Sequence, residues 1–300
     1  MPMIMTRREL AALGLILGAS GLAGADRVRA QVASDALTRT LHEIERRLAA
    51  RLGAAVLDTG TGQQWSKRAD ERFPMCSTFK AIAAGAVLAA VDAGREHLDR
   101  RVRFDAGEVV TYSPITKERA GGNGMTVAEL CEAAVTRSDN TAGNLILRSI
   151  GGPPGLTAFV RSLDDPVTRL DRWETELNEA RPGDPRDTTT PAAMAGNLHA
   201  LVLGNTLSRE SRDQLTAWLV ANKTGDAKLR AGLPKEWRIG DKTGAGELGT
   251  MNDIAVIWPP ARKPLIVTIY MTETTASFDD RNAGIAEIAR AVRTVVNGAS

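Results

Sequence analysis

Ser77-Thr78-Phe79-Lys80 sets a hydroxyl and an amine three residues apart. On a helix, residues at that spacing share a face. At a helix N-terminus the free amides and the positive dipole end favour developing negative charge beside the serine. A serine hydroxyl is a weak nucleophile that needs a base, and a lysine with a lowered pKa can serve. The chemistry is then acyl transfer through a serine ester. Ser138-Asp139-Asn140 adds a second hydroxyl that could relay a proton, and an amide that could hold a substrate carbonyl. Lys242-Thr243-Gly244 adds a cation, a hydroxyl and a residue without a side chain, so that a ligand could lie against the backbone. Taken singly, the first motif reads better as a helix start with a solvated lysine, the second better as a capping turn, and the third equally well as a plain strand end.

The elements that must position these groups follow from periodicity. Leu37, Leu41, Ile44 and Leu48 recur at helical spacing within 34–52, a helix that Gly53 is expected to end. Residues 54–58 read as a buried strand, and Thr59-Gly60-Thr61-Gly62 as a hairpin turn. A helix starts at Ser77 and runs to Gly94. Another spans 126–137, where Thr126 and Glu129 have capping-box spacing. The helix over 141–150 is stopped by Gly151-Gly152-Pro153-Pro154. Residues 164–191 have no sustained period and form a long loop, a feature usually functional or disordered in compact domains. Helices near 192–203 and 208–222 follow, then strands over 237–242, 253–258 and 265–272, and a closing helix over 278–296. The fold class is α+β. An antiparallel sheet is flanked by the terminal helices, an all-helical domain is inserted between its strands, and the active site lies at their junction. The sheet domain takes 31–70 with 223–300, and the helical domain takes 71–222 with the 164–191 loop.

The three motifs in that order form the set of class A β-lactamases and penicillin-binding proteins. The likeness reaches further. Arg72-Phe73-Pro74-Met75-Cys76, Tyr112-Ser113-Pro114, Ser138 through Asn144, Asp187-Thr188-Thr189-Thr190-Pro191 and Gly249 through Pro259 resemble class A segments, so most of the chain from Ser34 onward is covered. Arg172-Trp173-Glu174-Thr175-Glu176-Leu177-Asn178 matches the class A loop. That loop separates the hydrolases from the penicillin-binding peptidases. Both form a serine ester, but only the hydrolase needs water to attack it quickly, and a carboxylate with an amide four residues on can hold that water and take its proton.

The resemblance implies the roles. Ser77 attacks the lactam carbonyl, and Lys80, or Glu174 through a water, removes its proton. Ser138 passes a proton to the departing nitrogen. The backbone amides of Ser77 and Ala245 form the oxyanion hole, and Asn140 holds the drug's side-chain amide. Lys242 and Thr243, with Gly244 beside them, face its carboxylate. Tyr112 walls the cleft, Glu174 and Asn178 hold the hydrolytic water, and Arg172 and Asp187 close the loop's base. Class A enzymes often supply an arginine for the carboxylate at the position of Met251, or at that of Asn282. Both are absent here; Lys228, where a third subset of the family carries an arginine, is read either as the replacement cation or as a solvent-facing lysine that leaves Lys242 to act alone. Two rival readings are a DD-peptidase of peptidoglycan, opposed by Glu174 and Asn178, and a catalytically silent binding or sensor domain, opposed by the intact set of Ser77, Lys80, Ser138, Glu174 and Lys242.

The remaining features narrow the class. Formal net charge is +2 and only 4% of residues are aromatic, with no basic patch, so nucleic acid is not an expected partner. The expected partner is a small-molecule β-lactam, and the expected state is a monomer. Arg7-Arg8 before the apolar run 11–23, with cleavage after Ala25 or Ala30, reads as a signal peptide over 1–30. The paired arginines point to twin-arginine export, hence to a periplasmic or secreted enzyme that leaves the membrane once the signal is removed. His42, His97 and His199 lack metal-ligand spacing, so no metal or other cofactor is expected. Glu176 and Glu179 read as solvated loop charges. In the family a cysteine like Cys131 pairs with one at the position of Ala84, and one like Cys76 with one at the position of Gly246. Both partners are missing, so both thiols are expected to be free.

Overall fold

The computed structural model describes residues 36–298; the segment 1–30 read as a signal peptide, with Arg7 and Arg8, lies outside the described residues. Helix α1 covers 36–47. Strands β1 (Arg51–Asp58) and β2 (Gln64–Lys67) follow, joined by the expected turn, in which the Gly60 amide donates to Asp58 Oδ1. Gly53 does not end a helix. It lies inside β1, paired with Tyr270, because the chain leaves α1 earlier and turns at Ala49, whose φ is 44°.

The short strand β3 (Phe73–Pro74) and a 3-10 turn (Cys76–Thr78) lead into α2 (Phe79–Asp92). Every α2 side chain from Phe79 to Leu88 is buried, as suits an Ala-rich helix that is apolar all round. β4 (Arg101–Val102) pairs with β5 (Met125–Thr126) ahead of α3 (Val127–Thr136). Thr126 and Glu129 form the expected capping box. α4 (Asn140–Ser149) is followed directly by α5 (Gly152–Arg161). The Gly-Pro run therefore both stops one helix and starts the next: Gly151 is left-handed, at φ 90°, and prolines fill the first turn of α5, where a missing N–H costs nothing. The loop over 164–191 contains a 3-10 turn (Glu176–Asn178) and β6 (Thr188–Thr189), which pairs with β3. α6 (Pro191–Leu198), α7 (Arg209–Val220) and the short α8 (Leu229–Gly232) complete the helices before the last strands.

β7 (Arg238–Ala245), β8 (Met251–Trp258) and β9 (Leu265–Thr272) then join β1 and β2 in one antiparallel sheet, ordered β2-β1-β9-β8-β7, and α9 (Phe278–Gly298) closes the chain. Alternation along β9 assigns the faces. Leu265, Val267, Ile269 and Met271 pack with Leu41 and Ile44 of α1 and Ile288 and Val292 of α9. Ile266 and Tyr270 belong to the core shared with α2 and the other helices. β7 is an edge strand, so its Lys-Thr-Gly end is free to border the helical side. No described helix is long and apolar enough to cross a membrane.

Candidate active site

Ser77 sits in the 3-10 turn that feeds α2, one turn ahead of Lys80. The turn is held from three directions. Met75 N–H donates to Asp187 O at 2.9 Å, Asn252 Nδ2 donates to the carbonyls of Pro74 and Met75, and Cys76 takes a φ of 45°. Tyr112 and Ser138 are also non-glycine residues at positive φ, 60° and 56°. Such backbones cost about 1–3 kcal/mol each and persist where the surroundings over-determine them. Here Tyr112 and Ser138 line one cleft, while Cys76 stays buried in the nucleophile turn.

Lys80 is wholly buried, and its Nζ reaches four acceptors: Ser77 Oγ at 2.9 Å, Glu174 Oε1 at 2.8 Å, Ser138 O at 2.9 Å and Asn140 Oδ1 at 2.6 Å. An ammonium has three N–H groups, so four acceptors cannot all be served at once. Burial pushes the Lys80 pKa down, against the pull of the Glu174 carboxylate. Ser77 Oγ also donates to Glu174 Oε1, at 3.1 Å. Serine, amine and carboxylate thus form one proton-sharing triangle. Lys80 can enter it because α4 carries no side chain at Gly143, where a Cβ would fall 2.7 Å from Lys80 Cε.

Glu174 is held at both ends. Its backbone N–H and C=O pair with the Asn144 side chain at 2.9 and 3.0 Å, and Asn178 Nδ2 donates to Oε2 at 2.6 Å. The Glu174–Thr175 peptide is cis. Arg172 pairs with Asp187 at 2.6 Å, as expected. Glu179, still solvent-accessible, is more than an idle loop charge: it takes a second pair from Arg172, at 2.6 Å, and bonds Arg181 as well. A guanidinium with five donors can serve both carboxylates, which a sequence spacing alone does not reveal.

On the opposite wall Lys242 is buried at the end of β7. Its Nζ donates to Ser138 Oγ at 3.0 Å and to Thr243 O at 2.7 Å. Burial, and then the ammonium of Lys80, push its pKa down to about 7. Thr243 Oγ1 meets Thr224 Oγ1 at 2.6 Å. A Cβ at Gly244 would come 2.8 Å from Met75 O, so β7 can abut the nucleophile turn only without one.

Above these groups opens a cleft of about 320 Å³. Ser77, Tyr112, Ser138, Asn140, Asn178, Thr243, Gly244, Ala245 and Lys228 line it, while Lys80, Glu174 and Lys242 form the buried layer beneath. The structure brings together every residue assigned from sequence and scatters none. Lys228 is only 5% exposed; its Nζ lies 3.4 Å from Thr224 O and 5.3 Å from the Phe278 ring centre. Met251 and Asn282 are buried and supply no cation. Cys76 and Cys131 are both buried and unbridged, and burial pushes both thiols up. Sequence reasoning missed the wall residues Thr224 and Phe278, and the parts played by Asn144 and Asp139. Asp139 accepts from four donors: Ile115 N, Thr116 N, Thr116 Oγ1 and Ala142 N. Its place at a helix start was the available signal. Among the described residues, no group of three His, Cys, Asp or Glu side chains could hold a metal ion.

The family described as the beta-lactamase enzyme family matches residues 36–296. The chain is 52% identical over 250 residues to beta-lactamase AST-1 of Nocardia asteroides, covering 83% of this chain and 80% of that one. It is 53% identical over 253 residues to beta-lactamase FAR-1 of Nocardia farcinica, covering 84% and 80%. Among solved structures, the ancestral (GNCA) class A beta-lactamase superposes with a TM-score of 0.84 at 63% identity, over 86% of this chain and 98% of that chain. The putative class A beta-lactamase PenP of Rhodopseudomonas palustris gives 0.85 at 58% identity, over 86% and 98%.

Proposed function

The chain belongs to the class A family of serine β-lactamases, and on that premise we propose how its residues divide the work. Its reaction is hydrolysis of the β-lactam amide of penicillins and cephalosporins, which confers resistance to them. One observation carries the assignment: Ser77 Oγ lies within hydrogen-bond reach of both an amine and a carboxylate. Ser77 attacks the lactam carbonyl, and Lys80 or Glu174 takes its proton. The backbone amides of Ser77 and Ala245 receive the oxyanion; removing one such donor typically costs about 10²–10³ in rate. Ser138, joined to Lys242, hands a proton to the departing ring nitrogen. Glu174 then activates water against the ester. Asn178 supports this step: its Nδ2 fixes Glu174, while its buried Oδ1 has no protein partner and can accept from that water.

Asn140 presents the drug's side-chain amide with a donor. One N–H of its Nδ2 is spent on Thr111 O and Oδ1 on Lys80, which leaves the second N–H for a carbonyl. Thr243, Lys242 and Lys228 receive the drug's carboxylate, with Gly244 leaving the backbone open to it and Tyr112 closing the side of the cleft. Lys228 acts as a point charge, a more tolerant anchor than a two-pronged guanidinium. The substrate lies at the seam of a sheet unit, 31–70 with 223–300, and a helical unit, 71–222. The enzyme works as a single chain after export to the periplasm or medium, by the twin-arginine route. Replacing Arg7 and Arg8 with lysine would strand the precursor inside the cell; undiminished export would refute that route.

The chemistry is tested by intact-protein mass spectrometry with benzylpenicillin. Wild type shows a transient adduct of the whole drug and steady turnover. Ser77→Ala shows neither. Turnover by Ser77→Ala would overturn the mechanism.

A further inference from the structure

Phe278 stands out from the apolar residues of this chain. It is the first residue of α9 and is 55% exposed, where comparable side chains of that helix are buried. Its position is fixed: Ser277 Oγ accepts from Asp280 N at 3.1 Å and donates to Asp280 Oδ2 at 2.6 Å, which pins the first turn of the helix. The ring faces function rather than bulk solvent alone. It lines the same cleft as Ser77, on the side of Lys228 and Thr224. Lys228 Nζ lies 5.3 Å from the ring centre and Arg281 Cζ 5.7 Å, both within cation–π range.

These positions fix what the ring can meet. The carboxylate end of the substrate is drawn to Thr243, Lys242 and Lys228, a placement taken from the proposed function above. A cephalosporin carries a substituent on the ring carbon next to the one that bears the carboxylate. Past Lys228, that substituent reaches the wall formed by Phe278. A flat ring there offers a large apolar face at little cost in conformational freedom, and aromatic pairs gain beyond the area they bury. The two cations near Phe278 repel a third cation carried on the substituent, while more than half of the side chain stays open to a neutral ring.

We propose that Phe278 is a specificity-determining residue: it packs against the substituent beside the β-lactam carboxylate and selects neutral aromatic groups over methyl or cationic ones. Stacking of this kind is worth a factor of about 2 to 10 in binding.

The test uses the purified exported enzyme and three cephalosporins that share one acylamino side chain. They carry methyl, a neutral aryl thioether or a pyridinium group beside the carboxylate. Benzylpenicillin, which carries only two ring methyl groups beside its carboxylate and no aryl or cationic group there, is the control. Wild type should favour the aryl compound over the methyl compound in kcat/KM. Phe278→Ala should shrink that preference about 2- to 10-fold through KM, with kcat and benzylpenicillin little changed, and Phe278→Trp should keep it. An equal loss on all four drugs would overturn the proposal, because Phe278 would then act only by shielding Lys228. No change on any of them would overturn it as well. Lys228→Ala separates the two readings. If it leaves KM unchanged while Phe278→Ala still alters the preference, the carboxylate anchor fails and the specificity role stands.

Discussion

Replacing Glu174 with glutamine removes the base and almost nothing else. Glu174 Oε1 is one of four acceptors around Lys80 Nζ; the other three, on Ser77, Ser138 and Asn140, remain and match the three N–H groups of an ammonium. A glutamine has one oxygen where the carboxylate had two. With that oxygen kept on Lys80, its NH2 faces Asn178, whose Nδ2 donated to Glu174. The clash resolves by a flip of Asn178, because its Oδ1 has no protein partner and can accept from the new amide. The fold is therefore retained, with the roughly 3–5 kcal/mol for breaking a buried pair as the upper bound on the stability lost. Loss of the Glu174 charge lowers the folded-state pKa of Lys80 further below its ordinary value. The unfolded chain then binds the extra proton, so stability rises with pH between the two values, and the deficit shrinks as pH is raised toward the ordinary lysine range. Catalysis suffers more. A general base contributes about 10²–10⁴, so a hydrolysis step of order 10 s⁻¹ falls to about 10⁻¹–10⁻³ s⁻¹, an ester half-life of about 7 s to 10 min. Lys80 still lies 2.9 Å from Ser77, so acylation continues. Quench-flow with intact-mass detection should show near-stoichiometric adduct within the first turnover and decay on that scale. Decay as fast as wild type would refute the assignment of Glu174 as the hydrolytic base.

Other perturbations probe separate parts. The Lys242 ammonium, with its pKa near 7, is charged below that pH and neutral above it, so KM for penicillins should climb above pH 7, by at most tenfold per unit; Lys242→Arg should flatten the profile, and a flat wild-type profile would refute the poise. Lys228→Ala should raise KM for penicillins far more than it lowers kcat, since it removes binding common to ground and transition states; unchanged KM across several drugs would remove Lys228 from the anchor. A Cβ at Gly246 would lie 2.7 Å from Cys76 Sγ, so Gly246→Cys should bridge to Cys76 under oxidising conditions and leave Cys131 alone to titrate after denaturation, whereas three titratable thiols would refute that approach. Thr126→Ala breaks the capping box of α3 and should cost about 0.5–2 kcal/mol by denaturant titration with kcat/KM unchanged; a catalytic loss of tenfold would show that the cap also steers the site.

The residues that meet in the cleft could be named from sequence because three short motifs occur together in the order that class A enzymes show, not because any one of them was decisive. Ser77 and Lys80 meet through helix spacing, and Glu174 and Asn178 through a single turn. What stayed hidden depends on shape. Nothing in a sequence reveals that Cys76, Tyr112 and Ser138 are held at positive φ without being glycine. Gly53 looks like a helix stop but is a strand residue, because the turn at Ala49 comes first. The run Gly151 to Pro154 carried both a stop and a start, and only the stop was read. Glu179 looked idle because its partner Arg172 already had one carboxylate assigned. Phe278 and Thr224 reach the cleft across the sheet edge, over distances no periodicity encodes.

The pairing of β3 with β6, with the Met75–Asp187 bond and the Arg172 ion pairs beside it, ties the neck of the 164–191 loop to the strand just ahead of the nucleophile. The two ends of the loop are thereby held to each other, through Arg172 and Asp187, and together to the strand that precedes Ser77. Glu174 and Asn178 sit near the neck, whereas Pro182, Gly183 and Asp184 lie beyond the last tether and line an open groove on the protein's flank. Length can therefore change in that outer stretch without moving the hydrolytic carboxylate. For an enzyme under shifting drug selection, that leaves a segment where insertions and deletions, and not only substitutions, are available as raw material for evolution.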